Sequence, residues 1–365
     1  MGLPSTLFPC KANYLNVENL TMRFVFLIPD LDTTQVWQAW STLLSHAKNN
    51  FLNTLLRVRW MRTHELFGGT LNLMRHCLVA RQCGLDAVLA TMRGIDTYGD
   101  FAITGLPFIR WADRRPDDVC IVPDFVSELA DKVKGAVIVY QQSPIQVHTN
   151  FDHRSARVSI WTDSPHMYQL CEAAYLGKKI EIVPNVVDDQ MFPFIPQTQR
   201  EEGLLVAFPR KGGAAFIQAT EEKYRALGGN FWRFQLLDGL SIHNLAKEFR
   251  RPQVFLASVE AEGCALPPQE SMAAGIVVVG KSAKGANFCM EHKKTAMIAE
   301  TPEDSAHCLI ELEKADLREQ LSQNAHAYIQ RYFPAGEPRQ FWQMIAHRYC
   351  PESYAEPTKV IESMC

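Results

Sequence analysis

The chain has 365 residues, which is more than one typical hydrophobic core needs and enough for two domains. Hydrophobic residues make up 47% and charged residues 21%, close to the averages of soluble globular proteins, which excludes disordered, collagen-like and coiled-coil classes. The formal net charge of -3 gives no general attraction to nucleic acid, so we expect no nucleic-acid partner.

Cysteine usage and the lack of long apolar runs predict a cytoplasmic protein. The ten cysteines, scattered from Cys10 to Cys365, form no C-x-x-C pair and no metal-ligand spacing with histidine, so we expect them to be reduced and mostly buried. The first residues lack a charged segment followed by an apolar core. No run approaches the roughly 18 apolar residues that a membrane-spanning helix needs.

In the first half of the chain, short apolar runs alternate with helix-sized intervals. After an apolar run at 22–31, a helical pattern places large apolar side chains on one face between Trp37 and Leu56. A glycine turn then precedes a second amphipathic helix, which stops at Gly84 before another strand. Further apolar runs are "DVCIVPD", "GAVIVYQQS" and "RVSIWTDS". Strands that alternate with helices predict a parallel, doubly wound sheet.

A second α/β unit follows a segment at 178–202 that is rich in proline and polar residues. There the alternation restarts with "GLLVAFP", "FWRFQLLDG", "PQVFLAS" and "GIVVVG". We therefore predict an N-terminal Rossmann-like domain over residues 1–184 and a C-terminal one over residues 185–365. The tail "EPRQFWQMIAHRYC" predicts a last amphipathic helix.

The segment "EAEGCALPPQESMAAGIVVVG" at 260–280 carries the clearest chemical signal. It joins the carboxyl end of a predicted strand to a helix start, where ligands bind in open α/β sheets and where a helix N-terminus attracts phosphate. Gly263 lets a ligand approach the backbone closely. Glu270, just inside the helix, can accept two ribose hydroxyls, and Glu262 can reach a group beyond the phosphates. The segment therefore predicts a sugar-nucleotide site.

The same segment resembles the E-x7-E signature of retaining GT-B glycosyltransferases, particularly glycosyltransferase family 4, with the accompanying Leu-Pro and Ala-Ala-Gly in register. The resemblance implies a GT-B fold, in which two Rossmann-like domains face each other across a cleft and the last helix returns to the N-terminal domain. It also implies that Glu262 contacts the transferred sugar and that Glu270 binds the ribose. The implied donor-binding backbone between them consists of Gly263, Cys264, Ala265 and Leu266.

Two further segments are similar to family 4 sequences. "FPRKGGAAFIQA" resembles the segment whose Arg and Lys bind the donor diphosphate, which implies a catalytic role for Arg210 and Lys211, although here the two are adjacent and the loop is shorter. "LFGGTLNLMRHCL" resembles the glycine loop that faces the diphosphate, which implies donor contacts at Gly68 and Gly69. The Phe-Gly-Gly of this loop is closest to rhamnosyltransferase-like members.

One position departs from the family pattern. Many members have a histidine after an N-domain strand, close to the transferred sugar, whereas this chain has Gln141 and Gln142 there, with His148 several residues later. Gln142 and His148 are therefore the alternatives for a sugar contact at this place.

Two other clusters have both a structural and a functional interpretation. Asp30 and Asp32 have the D-x-D spacing that holds a divalent metal in GT-A enzymes, but such a pair at the end of a first strand is more typical of a helix cap, so we expect no metal. Arg57, Arg59 and Arg62 form either a solvated face or a contact with an anionic acceptor or membrane surface. Peripheral membrane association is thus an alternative.

Together the residues and the resemblance predict a retaining glycosyltransferase. It would move a hexosyl or deoxyhexosyl group from a nucleoside diphosphate sugar to a glycan, glycolipid or other hydroxyl acceptor, in polysaccharide or glycoconjugate synthesis and without a metal cofactor. The shortened Arg-Lys loop keeps a non-catalytic nucleotide-sugar-binding scaffold as one alternative. A sugar-nucleotide epimerase of GT-B architecture is the other.

Overall fold

Two parallel sheets with flanking helices form two Rossmann-like α/β domains. The computed structural model describes residues 22–28, 68–92, 94, 106–333 and 338–349. Asp30 and Asp32, the helical pattern from 37 to 56 and the arginines between 57 and 62 lie outside the described residues. The predictions that involve them stay predictions.

The N-terminal sheet has seven strands in the described part of the chain. They are β1 (Phe24–Leu27), β2 (Ala87–Thr91), β3 (Phe108–Arg110), β4 (Val119–Pro123), β5 (Val137–Gln141), β6 (Val158–Thr162) and β7 (Ile180–Ile182). All pairs are parallel, in the order β3-β2-β1-β4-β5-β6-β7. β1, β2, β4 and β5 are buried along their whole length, as strands covered by structure on both faces must be.

The C-terminal sheet contains five strands within the described ranges. They are β8 (Leu204–Ala207), β9 (Arg233–Leu236), β10 (Val254–Ala257), β11 (Val277–Gly280) and β12 (Met297–Ile298). These strands also pair in parallel, in the order β12-β11-β10-β8-β9. In both sheets the strand order reverses around the first strand, and ligands of doubly wound sheets bind at the carboxyl ends of the strands near that reversal.

Helices lie between the strands and after the last one. The α-helices of the described residues are α1 (Gly68–Gln82), α2 (Pro165–Ala174), α3 (Gly213–Ala226), α4 (Ile242–Glu248), α5 (Leu266–Ala274), α6 (Pro302–Glu311), α7 (Ala315–Tyr332) and α8 (Pro338–Tyr349). Short 3-10 helices cover Trp111–Asp113, Asp124–Lys132, Pro144–Gln146, Gln197–Gln199 and Ala283–Gly285.

The last helix, α8, packs on the N-terminal domain although it follows the C-terminal one in the chain. The Trp342 ring lies 5.7 Å from the ring of Phe24 and 5.8 Å from that of His76, and Trp342, Ile345 and Ala346 belong to the core of the N-terminal sheet. Burial lowers the pKa of His76 to about 3, so this imidazole is neutral and acts as a packing residue. Helix α8 thereby ties the two domains together.

The connection between the sheets differs from its prediction in one respect. The segment at 178–202 contains a short strand, β7, because Ile180 to Ile182 add to the edge of the N-terminal sheet beside β6. The change of sheet therefore falls between Ile182 and Leu204. The domain boundary expected after residue 184 lies in this interval and stays a prediction.

Candidate active site

The loop between β10 and α5 forms one side of the candidate site. Pro267 and Pro268 occupy the first turn of α5, where fixed φ angles favour helix and missing N-H groups cost little. Because prolines have no N-H, the backbone donors that this segment can offer a ligand are those of residues 263–266. Helix α5 ends at Gly275, whose φ of 87° is the left-handed conformation common at helix ends.

Glu262 forms an ion pair with Lys211, one of the two basic residues singled out from the sequence. The Lys211 Nζ donates a hydrogen bond to Glu262 Oε1. Lys211 has a positive φ of 53°, which is uncommon for a residue with a side chain. Arg210 has a different partner, since its Nε donates to Asp238 Oδ1 at 2.6 Å. The structure thus brings Lys211, but not Arg210, to Glu262.

Glu270 lies in a different environment from Glu262. It is 2% exposed, and its Oε1 accepts a hydrogen bond of 2.8 Å from Nη2 of Arg75, on α1 of the other domain. Burial raises the pKa of Glu270, and the Arg75 guanidinium opposes that rise. The carboxylate predicted to bind ribose is therefore held by an arginine that the sequence did not point to.

Gly263 lies at a close contact between the two domains. A Cβ atom added to Gly263 would overlap the backbone carbonyl of Gln142, at the end of β5. Two polar side chains hold the same loop: Ser164 Oγ donates to the Gly263 carbonyl at 2.7 Å, and Asn185 Nδ2 donates to the Cys264 carbonyl at 3.0 Å. Glycine is thus required here by the N-terminal domain, whereas the sequence suggested approach by a ligand.

The start of α1 joins this contact. The Gly69 backbone faces the side chain of Gln142, and a Cβ atom at Gly69 would lie 3.1 Å from the Gln142 Oε1. A Cβ atom at Gly68 would lie 3.4 Å from a methyl group of Leu266. His148 is exposed, and its Nε2 lies 3.2 Å from Gln146 Oε1. The structure therefore gathers Gln142 with the glycines of α1 and the loop, while the described contacts of His148 lie elsewhere.

Two buried aspartates at the carboxyl edge of the N-terminal sheet were not predicted. Asp163 follows β6, is 2% exposed, and its Oδ1 has no hydrogen-bond partner among the described residues. Burial, then the charges of Asp124 and Glu262, raise its pKa well above the usual range. Burial also raises the pKa of Asp124 to about 6, although backbone N-H groups of Gln142 and Ser143 donate to Asp124 Oδ2. In the sequence, the only indication of Asp163 was the change from apolar to Asp and Ser residues at the end of the run "RVSIWTDS".

A small pocket opens beside Arg210, between the carboxyl ends of β8 and β9 and helix α4. Its volume is about 120 Å³, and it is lined by Phe208, Arg210, Leu237, Asp238, Gly239, Leu240 and Leu245. The lining is mostly apolar, with one ion pair between Arg210 and Asp238. Arg210 thus joins this pocket to the loop that carries Lys211.

Neither a metal centre nor a membrane span is found in the part of the chain that the structure describes. No group of three or more His, Cys, Asp or Glu side chains there could hold a metal ion. None of the described helices combines the length and apolar character needed to cross a bilayer. The seven described cysteines are free thiols, five of them buried.

Comparison with known proteins gives one curated relative and a set of solved structures with the same architecture. The chain is 24% identical over 234 residues to an alpha-1,6-glucosyltransferase of Actinobacillus pleuropneumoniae, covering 59% of this chain and 69% of the relative. HepE of Anabaena, solved with UDP and glucose, has a TM-score of 0.59 at 12% identity, covering 90% of this chain and 100% of HepE. The chain has the GT-B fold.

A third similarity is partial. TarM of S. aureus has a TM-score of 0.50 at 14% identity, and the match covers 63% of this chain but 55% of TarM, so the chain spans about half the length of that protein. No protein-family model matches the sequence. The similarities therefore show the fold, and the predicted family 4 membership stays a prediction.

Proposed function

We propose that the protein is a retaining glycosyltransferase that moves a sugar from a nucleoside diphosphate sugar to a hydroxyl of a glycan or glycolipid. The observation that carries this function is the Glu262-Lys211 pair, which lies beside the backbone donors of residues 263–266 and eight residues before Glu270. A carboxylate can accept sugar hydroxyls and an ammonium can bind a phosphate, so this edge of the C-terminal domain suits both halves of the donor.

The leaving diphosphate is the group that the site must stabilise. As the bond to the sugar breaks, negative charge develops on the phosphate, and fixed positive groups in a closed site stabilise that charge. Lys211 and the N-H groups of residues 263–266 would fill this role. Arg210 lies next to Lys211 and reaches the pocket beside it, which suits the nucleoside end of the donor. These groups supply the charge without a metal ion.

The choice of donor is supported by relatives rather than by this chain. HepE was solved with UDP and glucose, and the curated relative is named as a glucosyltransferase. We therefore propose a UDP-hexose as the donor. The N-terminal domain, residues 1–184, then carries the acceptor, and the C-terminal domain, residues 185–365, carries the nucleotide sugar. We propose that Gln142, which lies against both Gly69 and the loop at Gly263, meets the transferred sugar.

The first test measures nucleotide binding and product formation. A ligand at about a hundred times its dissociation constant adds roughly 2.7 kcal/mol of stability, so the melting temperature with UDP, GDP, dTDP, ADP or CMP identifies the base. UDP-glucose with a glycan acceptor should then give a product whose anomeric configuration, read by NMR, matches that of the donor. An inverted product would contradict retention, and no shift with any nucleotide would contradict the donor site.

Matched variants separate the site from general stability. Lys211→Met and Glu262→Gln should each lower the transfer rate by about tenfold or more. Lys223 serves as the control. It lies in the last turn of α3, at the opposite end of that helix from Lys211, and it forms an ion pair with Glu303. Lys223→Met should leave transfer unchanged. A changed sugar nucleotide without an acceptor would favour an epimerase, and nucleotide binding without any turnover would favour a scaffold.

A further inference from the structure

Arg75 is a buried arginine on α1 that reaches from the N-terminal domain to the E-x7-E segment of the other domain. It is 3% exposed, and its two terminal nitrogens have different partners. Nη2 donates to Glu270 Oε1 at 2.8 Å, and Nη1 donates to the carbonyl of Val186 at 3.1 Å. One guanidinium therefore binds both the connection between the domains and a predicted donor-binding carboxylate.

The surroundings of Arg75 fix its position. Asn72, one turn earlier on α1, accepts a hydrogen bond of 2.8 Å from the Val186 N-H and donates to the Tyr140 hydroxyl at 3.1 Å. That hydroxyl donates in turn to the carbonyl of Val183. Helix α1 thus binds Val186 directly and Val183 through Tyr140 of β5, and these contacts keep the helix that carries Arg75 beside the connection.

The charge of Glu270 depends on this arginine. Burial raises the pKa of Glu270, the nearby Asp188 raises it further, and Arg75 is the group in the described part of the chain that lowers it. An isolated carboxylate in a buried position takes up a proton rather than stay charged. A protonated Glu270 would accept ribose hydroxyls less strongly, because hydrogen bonds to an ionised acceptor are roughly twice as strong as those to a neutral one.

We propose that Arg75 is a positioning residue of the donor site, which fixes the Glu270 carboxyl group through one oxygen and leaves the other oxygen for the ribose hydroxyls of a nucleoside diphosphate. This inference rests on the proposed function. It means that the ribose contact of the C-terminal domain is complete only when α1 of the N-terminal domain is docked against it. Donor binding and domain contact are therefore coupled through a single ion pair.

The test is the pH dependence of UDP binding by the full chain with Arg75→Met. Dissociation constants measured by calorimetry between pH 6 and pH 8.5 are compared with the wild type at each pH, because the terminal phosphate of UDP itself titrates near about pH 6. We expect the variant to bind about tenfold more weakly than the wild type at pH 6, with a smaller deficit at pH 8.5 as Glu270 ionises. A deficit that is the same at all pH values would overturn the inference.

Three further variants make the result specific. Arg23 is the matched control, because it is buried in the same domain and its Nη2 pairs with Asp118 at 2.8 Å. Arg23→Met should lower stability without a pH-dependent deficit in UDP binding. Glu270→Gln should weaken UDP binding equally at all pH values, and adding Arg75→Met to it should introduce no pH dependence. A pH-dependent deficit in that double variant would exclude Glu270 as the titrating group.

Each outcome bears on one of the two hypotheses. If the wild type binds none of the nucleotides, the proposed function fails. If the wild type binds UDP and Arg75→Met shows a flat deficit, the function stands and the positioning role fails. Should Arg75→Met not fold, Arg75→Gln is measured instead, since it removes the charge but keeps a side-chain hydrogen-bond donor. A pH-independent deficit in Arg75→Gln would likewise overturn the role.

Discussion

Glu262 and Glu270 stand at the two ends of one segment, and each pairs with a cation in a different setting. Glu262 pairs with Lys211 of its own domain, and 21% and 63% of the two side chains remain exposed. Glu270 pairs with Arg75 of the other domain, and only 2% and 4% of these side chains are exposed. The first pair can exchange its partner for a ligand or water at little cost. In the Glu270-Arg75 pair, water cannot replace a lost partner, because both side chains are buried.

This difference assigns different tasks to two residues of one type. Exposed ion pairs contribute about 0–1 kcal/mol to folding, so Lys211 and Glu262 are available for a substrate. Breaking a buried pair costs about 3–5 kcal/mol, because one charge is left without compensation. Glu270 is therefore a structural contact between domains as well as a predicted ligand contact. The predictions below test this contrast, from the largest expected effect to the smallest.

The largest effect is expected from breaking the buried pair on one side only. Arg75→Met or Glu270→Leu alone should lower the free energy of unfolding by about 3–5 kcal/mol, measured by chemical denaturation. The double variant should recover most of this loss, since apolar residues of similar volume can replace a buried pair, yet it should not bind UDP. Additive losses in the double variant would mean that the two side chains do not depend on each other.

The next effect concerns the contact between Gly263, in the segment that joins Glu262 to Glu270, and Gln142 of the N-terminal domain. Gly263→Ala should destabilise by about 1–3 kcal/mol, because the new methyl group meets a backbone carbonyl that cannot rotate away. Gly69→Ala should cost less, since its methyl meets the movable end of the Gln142 side chain. Gly68→Ala should cost least, as its methyl makes ordinary contact with Leu266. The melting temperature should therefore be lowest for Gly263→Ala, higher for Gly69→Ala and highest for Gly68→Ala. Any other order would contradict the contacts described for these glycines.

Several parts of the fold could be predicted from the sequence because their signals are local. The apolar runs "VCIVP", "VIVYQ" and "VVVG" are all strands, and the switch from polar loop to apolar run marked their ends. Strands β3, β7 and β12 have three, three and two residues, too short for any periodic pattern to show. Their pairing depends on the neighbouring strand, which the local sequence does not reveal.

Some features of the candidate site could also be predicted from the sequence, and others could not. The spacing of Glu262 and Glu270 along one segment was visible in the sequence, as was the Arg-Lys pair. The partner of Glu270 was not, because Arg75 lies 195 positions away and only the folded chain brings them together. The weak signal was an arginine on a helix that is otherwise largely buried. Likewise, the adjacent positions of Arg210 and Lys211 gave no hint that their side chains would pair with different carboxylates, those of Asp238 and Glu262.

A third effect is a pH dependence of the free energy of unfolding. It comes from Asp163, which faces Glu262 from the N-terminal domain. Its pKa is raised in the folded protein, so the folded state keeps a proton that the unfolded chain releases above its ordinary value of about 3.8. The free energy of unfolding should therefore fall as pH rises from about 4 toward the folded pKa. Asp163→Asn removes this titration and should be more stable than the wild type at neutral pH.

Denaturation at several pH values checks this expectation. The advantage of Asp163→Asn should shrink as pH falls and vanish where the aspartate is protonated in both states. Asp152→Asn makes the same chemical change at an exposed position of the same domain and serves as the control. A constant advantage at all pH values would point to a packing effect instead of a titration.

The smallest effect on folding is expected from breaking the exposed Lys211-Glu262 pair. The same substitution should have the largest effect on sugar transfer. Lys211→Met should change the free energy of unfolding by about 1 kcal/mol or less, because solvent screens the pair and can replace the lost partner. The same change removes a positive charge from the place where the diphosphate leaves, so transfer should fall while the folded structure persists. If Lys211→Met instead lowers the free energy of unfolding as much as is expected for Arg75→Met, the two ends of the segment are not different, and Glu262 belongs to the structure rather than to the substrate site.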